Sequence, residues 1–260
     1  MASRSMRFRA FADRFTTVPE VAQAIREAGL GKCGLIFGID YTMSNKVQGE
    51  KTFGGKSLHK VEDDLKNPYQ EVIEILGQTL ECFDDDRIIP AFGFGDKTHK
   101  QEGYFPLNEK RECVGFREVL DTYNRVTPSV SLHRPTNFAP LIHKAIQIVQ
   151  QTRKYHILVI VADGQVTEEQ ETQQAIVTAS HYPLSIIVIG VGDGPWGMMQ
   201  EFDDRLPTRL FDNFQFVNFH EIMSTSNYAP ASFALNCLME IPDQYKAIKQ
   251  LGYLDYQQQC

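Results

Sequence analysis

Apolar positions along this chain recur with two different periods, and the switching between them predicts most of its elements. Residues 34–40, 156–162 and 184–191 are short runs built almost wholly of Ile, Leu, Val, Phe, Ala and Gly. Runs of that length and make-up, cut off by polar or glycine residues, predict strands, the last two buried on both faces. Elsewhere the spacing becomes helical. Val72, Ile73, Leu76, Leu80 and Phe83 follow Pro68 in a helix expected over 68–83, and Leu141, Ile142, Ala145, Ile146 and Val149 share one stripe of 137–151. Further helices are expected at 18–28, 115–126, 168–180, 195–206, 231–240 and 244–251, and further strands at 88–94 and 214–218, the last at a sheet edge. The polar, glycine-bearing stretch 44–66 reads as a long surface loop. Strands alternating with helices predict an α/β fold, a doubly wound and mostly parallel central sheet flanked by helices on both faces. The expected organisation is an N-terminal extension over 1–17, one domain over 18–252 and a C-terminal tail over 253–260, disordered from Asp255 onward.

Composition narrows the function classes. In 260 residues, 42% apolar content suffices for a sizeable core. Thirty-three acids against 26 bases give a formal charge of -7, which argues against nucleic acid or a direct contact with an anionic membrane. The five cysteines are far apart and form no C-x-x-C pair, so neither a zinc module nor a disulfide framework is indicated. With no apolar leader near the N-terminus, the expected location is the cytoplasm, with the nucleus or the periphery of the plasma membrane reached through partners.

The chemistry sits where the first strand ends. Asp40, Thr42 and Ser44 place an acid and two hydroxyls at alternate positions on the carboxyl end of that strand, the edge at which open α/β sheets hold their ligands. Thr136 before a helix and Asp163 at the tip of another strand fall on the same edge. Hydroxyls and carboxylates are hard oxygen donors suited to Mg2+, with Ca2+ or Mn2+ as the other candidates. Each residue alone has a plainer explanation: Asp40 as an acid capping a strand, Ser44 as a turn residue. Asp96 beyond Gly95 could line the same rim, although turn chemistry accounts for it. The run Gly190-Val191-Gly192-Asp193-Gly194 suggests a tight turn rather than a dinucleotide loop, because Pro195 breaks the fingerprint. Trp196 is expected to anchor that turn, and the acidic run Asp84 to Asp86 to be a solvated helix end. The histidines read as scattered surface or packing residues.

Asp40-Tyr41-Thr42-Met43-Ser44 resembles the D-x-S/T-x-S motif of the metal-ion-dependent adhesion site in von Willebrand factor A-type domains. Asn67-Pro68-Tyr69, Phe92-Gly93-Phe94-Gly95, Gly192-Asp193-Gly194-Pro195-Trp196 and the stretch from Phe211 to Phe219 are similar to the copine version of that domain. Within the group, the pattern from Ile160 to Thr167 is most similar to the copine domain of plant RING-type ubiquitin ligases. The resemblance implies direct coordination by Thr42 and Ser44, direct or water-mediated coordination by Thr136, and mostly water-mediated contacts from Asp40 and Asp163. It further implies an open position for the carboxylate of a partner protein's Asp or Glu, with Asn45 fixing the loop rather than the ion.

The function expected is therefore a divalent-cation-dependent protein-binding module without catalytic residues. The alternative is the substrate-binding part of a ubiquitin ligase system, with ubiquitin-pathway proteins as partners, because the eight closely spaced Cys/His ligands of a RING do not occur in these residues. C2 domains are not among them either. A magnesium-dependent phosphatase using Asp40 as nucleophile is more remote, since Thr42 stands where such enzymes place a second acid.

Overall fold

The computed structural model describes residues 15–100, 102–164, 166–206 and 208–255. Its centre is a six-stranded sheet built from β1 (Gly34–Asp40), β3 (Ala91–Phe94), β4 (Phe105–Pro106), β6 (His156–Ala162), β7 (Leu184–Gly190) and β8 (Phe214–Asn218), in the order β4-β3-β1-β6-β7-β8. All neighbours pair in parallel except β4, which runs antiparallel along β3. The helices are α1 (Val18–Glu27), α2 (Pro68–Leu80), α3 (Gly115–Val126), α4 (Ala139–Thr152), α5 (Glu169–Ala179), α6 (Gly197–Arg205), α7 (Phe219–Thr225), α8 (Ala229–Leu238) and α9 (Ile241–Gln250).

Both sides of the sheet are covered, and the strand period sorts the side chains between two cores. Leu35, Phe37, Ile39, Ile157, Val159, Val161, Ile187 and Ile189 point into one core, together with apolar residues of α1, α2, α3, α8 and α9. Ile36, Leu158, Ile160, Ile186 and Val188 point into the other, against α4, α5 and α6. The doubly wound, mostly parallel sheet predicted from the periodicity is thus the observed architecture. Among the described residues no helix is long and apolar enough to cross a membrane.

Several local expectations are corrected. The strand expected over 88–94 is split by Pro90, which has no N–H for a ladder. Ile88–Ile89 (β2) instead pairs with Cys113–Val114 (β5) in a separate two-stranded ribbon. The stretch 44–66 is not simply a surface loop, because it starts with a 3-10 turn over Met43–Lys46 and buries Asn45, Leu58 and His59. The acidic run is not simply solvated either: Asp84 is buried, and only Asp85 and Asp86 reach out, to Lys32 and Lys154. At the chain end, Tyr253 donates its hydroxyl hydrogen to the Ser180 carbonyl, so the start of the expected tail packs on the domain. Residues 256–260, and most of the expected N-terminal extension, lie outside the described residues.

The glycine-rich run after β7 is a turn, as expected, with Gly192 and Gly194 at positive φ. Its Asp193 also clasps the stretch after β1, accepting from the Lys51 and Thr52 amides and from the Thr52 hydroxyl at 2.7–3.0 Å. Trp196 packs on Phe216, with ring centroids 5.4 Å apart.

Candidate metal centre

The parallel order places the carboxyl ends of β1 and β6 side by side, which brings together residues more than a hundred positions apart. Asp40 closes β1, and its Oδ1 accepts the Thr42 amide at 2.7 Å. The chain then turns through Met43–Lys46, which sets the Thr42 and Ser44 hydroxyls 3.0 Å apart. Ser44 in turn donates to Asp163 Oδ1 at 3.0 Å, just beyond β6. Four of the expected residues are therefore linked in one hydrogen-bonded series, Asp40 through the Thr42 amide and Thr42, Ser44 and Asp163 through their side chains.

Thr136 makes no hydrogen bond to these four residues, but the backbone on either side of it is tied to the segments that carry them. His133 is pinned between the tips of β1 and β3, its amide donating to Gly95 O at 2.9 Å and its carbonyl accepting from the Met43 amide at 2.7 Å. Beyond the cis Arg134–Pro135 bond, the Thr136 carbonyl accepts from the Thr167 amide and hydroxyl at 2.8 and 3.2 Å. Asp96 does not join the group: its carboxylate accepts the Thr98 and His99 amides and meets His99 Nδ1 at 3.0 Å, which is the turn role.

Asp40 and Asp163 are both fully buried, and the Oδ2 atom of each is buried without a hydrogen-bond partner. Burial pushes both carboxyls above their ordinary range, and the negative charge of Asp40 pushes Asp163 further. Two orphaned carboxylate oxygens amid hydroxyls are costly as they stand. They fit a small hard dication, which would satisfy both oxygens and cancel the like charges. A zinc-type cluster does not fit, for among the described residues no group of three or more His, Cys, Asp or Glu could hold an ion. The candidate centre rests on hydroxyls as much as on acids.

Beneath it lies a layer that the sequence reading missed. The Asp40 carbonyl accepts from His59 Nε2 at 2.7 Å, from Asn45 Nδ2 at 3.1 Å and from the Tyr69 hydroxyl at 3.3 Å. A carbonyl can only accept, so His59 Nε2 carries the proton, and Nδ1 accepts from the Tyr123 hydroxyl at 2.9 Å. Burial lowers His59 to about 4 and keeps it neutral. Its ring is stacked between Tyr41 and Tyr69, with centroids 4.7 and 4.2 Å away. Asn45, as expected, fixes the loop: its amide also donates to Thr42 O, and its Oδ1 accepts from Tyr69. No spacing rule links residues 41, 45, 59, 69 and 123. The one available signal was His59 as a lone imidazole in a stretch that also carries Leu58.

Gly95 sits at φ 79° directly against Thr42, and a Cβ there would collide with the Thr42 methyl group. Gly95→Ala is therefore expected to displace the Thr42 hydroxyl and weaken Mn2+ binding at least ~10-fold, because the added methyl meets both strain and contact. Calorimetric titration of folded protein checks this, and unchanged affinity would mean that Thr42 contributes no ligand.

The Copine family model matches residues 57–257 of this chain. Copine family protein 2 of Caenorhabditis elegans is 57% identical over 246 residues, covering 93% of this chain and 3% of that protein. E3 ubiquitin-protein ligase RGLG1 of Arabidopsis thaliana is 48% identical over 265 residues, covering 95% of this chain and 54% of that protein. The chain thus spans from a small fraction to about half the length of these relatives. Among solved structures, proximal thread matrix protein 1 from the mussel byssus has a similar fold, with a TM-score of 0.50 at 10% identity over 81% of this chain and 48% of that one.

Proposed function

The chain belongs to the copine family, and from that premise we propose that it is a divalent-cation-dependent protein-binding module whose ion is held by Asp40, Thr42, Ser44, Thr136 and Asp163. The observation that carries this reading is the pair of buried, partnerless oxygens, Asp40 Oδ2 and Asp163 Oδ2, on two acids that also hold the Thr42 amide and the Ser44 hydroxyl. A bound magnesium supplies an incompletely neutralised charge to which a partner's Asp or Glu carboxylate can bind. Ser44 is the accessible member, whereas Asp40, Thr42, Thr136 and Asp163 are buried. A partner therefore approaches past Ser44, between Met43 and Val47, which are 37% and 67% exposed. The same burial argues against catalysis by Asp40, since a nucleophilic carboxylate must reach its substrate.

The test is partner capture by the folded protein in Mg2+, in EDTA and with Asp40→Ala, together with calorimetric titration by Mn2+. Expected are one ion per chain and captured proteins that disappear in both control arms. Equal capture in all three arms would sink the metal-bridged reading.

A second reading is favoured by the identity to proteins named E3 ubiquitin-protein ligases. The same surface would then select substrates for a ligase whose RING is provided elsewhere. Ubiquitin-pathway proteins among the metal-dependent captures would support it.

A further inference from the structure

A second polar site lies at the opposite end of β1, about 20 Å from Asp40 at the usual rise per strand residue. It is a cavity of about 280 Å³ whose lining includes Cys33, Asp84, Lys154, Tyr155 and Tyr245. Asp84 is only 6% exposed, and its Oδ1 is buried without a hydrogen-bond partner. Burial and the neighbouring Asp86 push this carboxyl up to about 6.

The charges around it are already paired. Lys32 Nζ lies 2.9 Å from Asp85 Oδ1, and Lys154 Nζ lies 3.1 Å from Asp86 Oδ2. Among the described residues, that leaves the Asp84 carboxylate of the lining without an ion-pair partner of its own. Tyr245 lines the same cavity, its ring packed on the buried Tyr155 ring with centroids 5.2 Å apart. Tyr245 also carries the Lys249 ammonium 5.3 Å from its centroid, so that ring already serves as a cation acceptor.

This chemistry selects a particular ligand. An anion is repelled by Asp84. A hard dication needs several free oxygens, and the two neighbouring carboxylates are committed to lysines. A guanidinium is planar, weakly hydrated, able to stack on aromatic rings and able to donate to a single carboxylate.

We propose that this cavity is a binding site for one guanidinium group, presented as an arginine side chain by a protein partner. The site is separate from the metal centre and does not depend on it.

The probe is methylguanidinium, titrated into the isotope-labelled full chain and followed by amide resonances. Saturable shifts at Cys33, Gly34 and Asp84 are expected, with dissociation constants of about 1–10 mM for so small a ligand. Ethylammonium should bind at least ~3-fold more weakly, because it is more strongly hydrated and does not stack. Asp84→Asn, which keeps the side chain's size, should weaken methylguanidinium at least ~10-fold. Lys154→Ala removes a half-exposed side chain and frees the charge of Asp86, so it should tighten binding roughly 2–5-fold. No saturable shift at about 50 mM probe would overturn the proposal. So would equal affinity in Asp84→Asn, unchanged affinity in Lys154→Ala, or displacement of the probe by Ca2+ or Mg2+ from these resonances.

Discussion

Asp163→Asn is expected to raise the melting temperature of the metal-free chain and to abolish the stabilisation that magnesium confers on the wild type. Both effects have one cause. Asp163 is fully buried beside Asp40, and burial together with the charge of Asp40 raises its carboxyl far above the ordinary value near 4. A carboxyl raised in the folded state stabilises the fold when protonated. That contribution is complete below the unfolded value and is lost as pH rises through the folded one. Metal-free wild type should therefore weaken from about pH 4 upward, and the asparagine variant should weaken less. Its amide still accepts from Ser44, carries no charge and can donate to the orphaned Asp40 oxygen. The gain at neutral pH should be about 1–3 kcal/mol, or roughly 3–8 °C for a domain of this size. Magnesium closes or inverts that gap: at a hundredfold excess over the dissociation constant the wild type gains about 2.7 kcal/mol, and the variant gains almost nothing. Thermal melts with EDTA and with Mg2+ decide the matter. A variant less stable than wild type in EDTA, or a wild type indifferent to Mg2+, would remove the electrostatic case for the site.

That this site could be approached from sequence reflects how local its core is. Asp40, Thr42 and Ser44 are neighbours on a strand end and its first turn, so their spacing alone puts three oxygens on one rim. Asp163 needed one further inference, that two wholly apolar runs lie parallel and end on the same edge. β1, β6 and β7 were legible for the same reason, since seven successive buried positions leave little else they could be. The two-residue strands Phe105–Pro106 and Cys113–Val114 carry no periodicity, and their pairing depends on where β3 and Ile88–Ile89 happen to lie. Asp84 misled for a related reason. Its sequence neighbours are acidic and exposed, while its own burial comes from a bridge to Cys33, which no local pattern reveals.

The two ends of β1 also differ in what their buried acids imply. At Asp40 the charge is shared with Asp163 and surrounded by hydroxyls, so several oxygen donors converge where a small dication would fit. At Asp84 one carboxylate shares a cavity lining with Tyr245 while its neighbours hold lysines, which suits a single flat organic cation. The same strand can thus offer two chemically distinct contacts at opposite ends of the domain, and a partner long enough to use both would have to span the sheet.

His59→Phe should cost stability and metal affinity together, although His59 lies outside the expected ligand set. Phenylalanine preserves the bulk and the stacking between Tyr41 and Tyr69. It removes the Nε2–H that holds the Asp40 carbonyl and the Nδ1 that receives the Tyr123 hydroxyl. Leaving those buried groups short of partners should cost about 1–3 kcal/mol. His59→Ala, which also opens a cavity in the stack, should cost about 3–5 kcal/mol. The effect on the ion follows from position. The Asp40 carbonyl is the point at which His59, Asn45 and Tyr69 set the angle of the strand tip, so its release lets Thr42 and Ser44 drift. Groups that orient ligands from behind typically change affinity 10–100-fold, and about that loss of Mn2+ affinity is expected for His59→Phe in protein that remains folded. Tyr123→Phe separates the two roles, for it removes the partner of Nδ1 and leaves the bond to Asp40 in place. It should lower stability in denaturant by about 1 kcal/mol with little change in Mn2+ titration. If both variants lose stability and neither loses affinity, His59 is a packing residue, and the strand tip is held rigidly enough by Asn45 and Tyr69 alone.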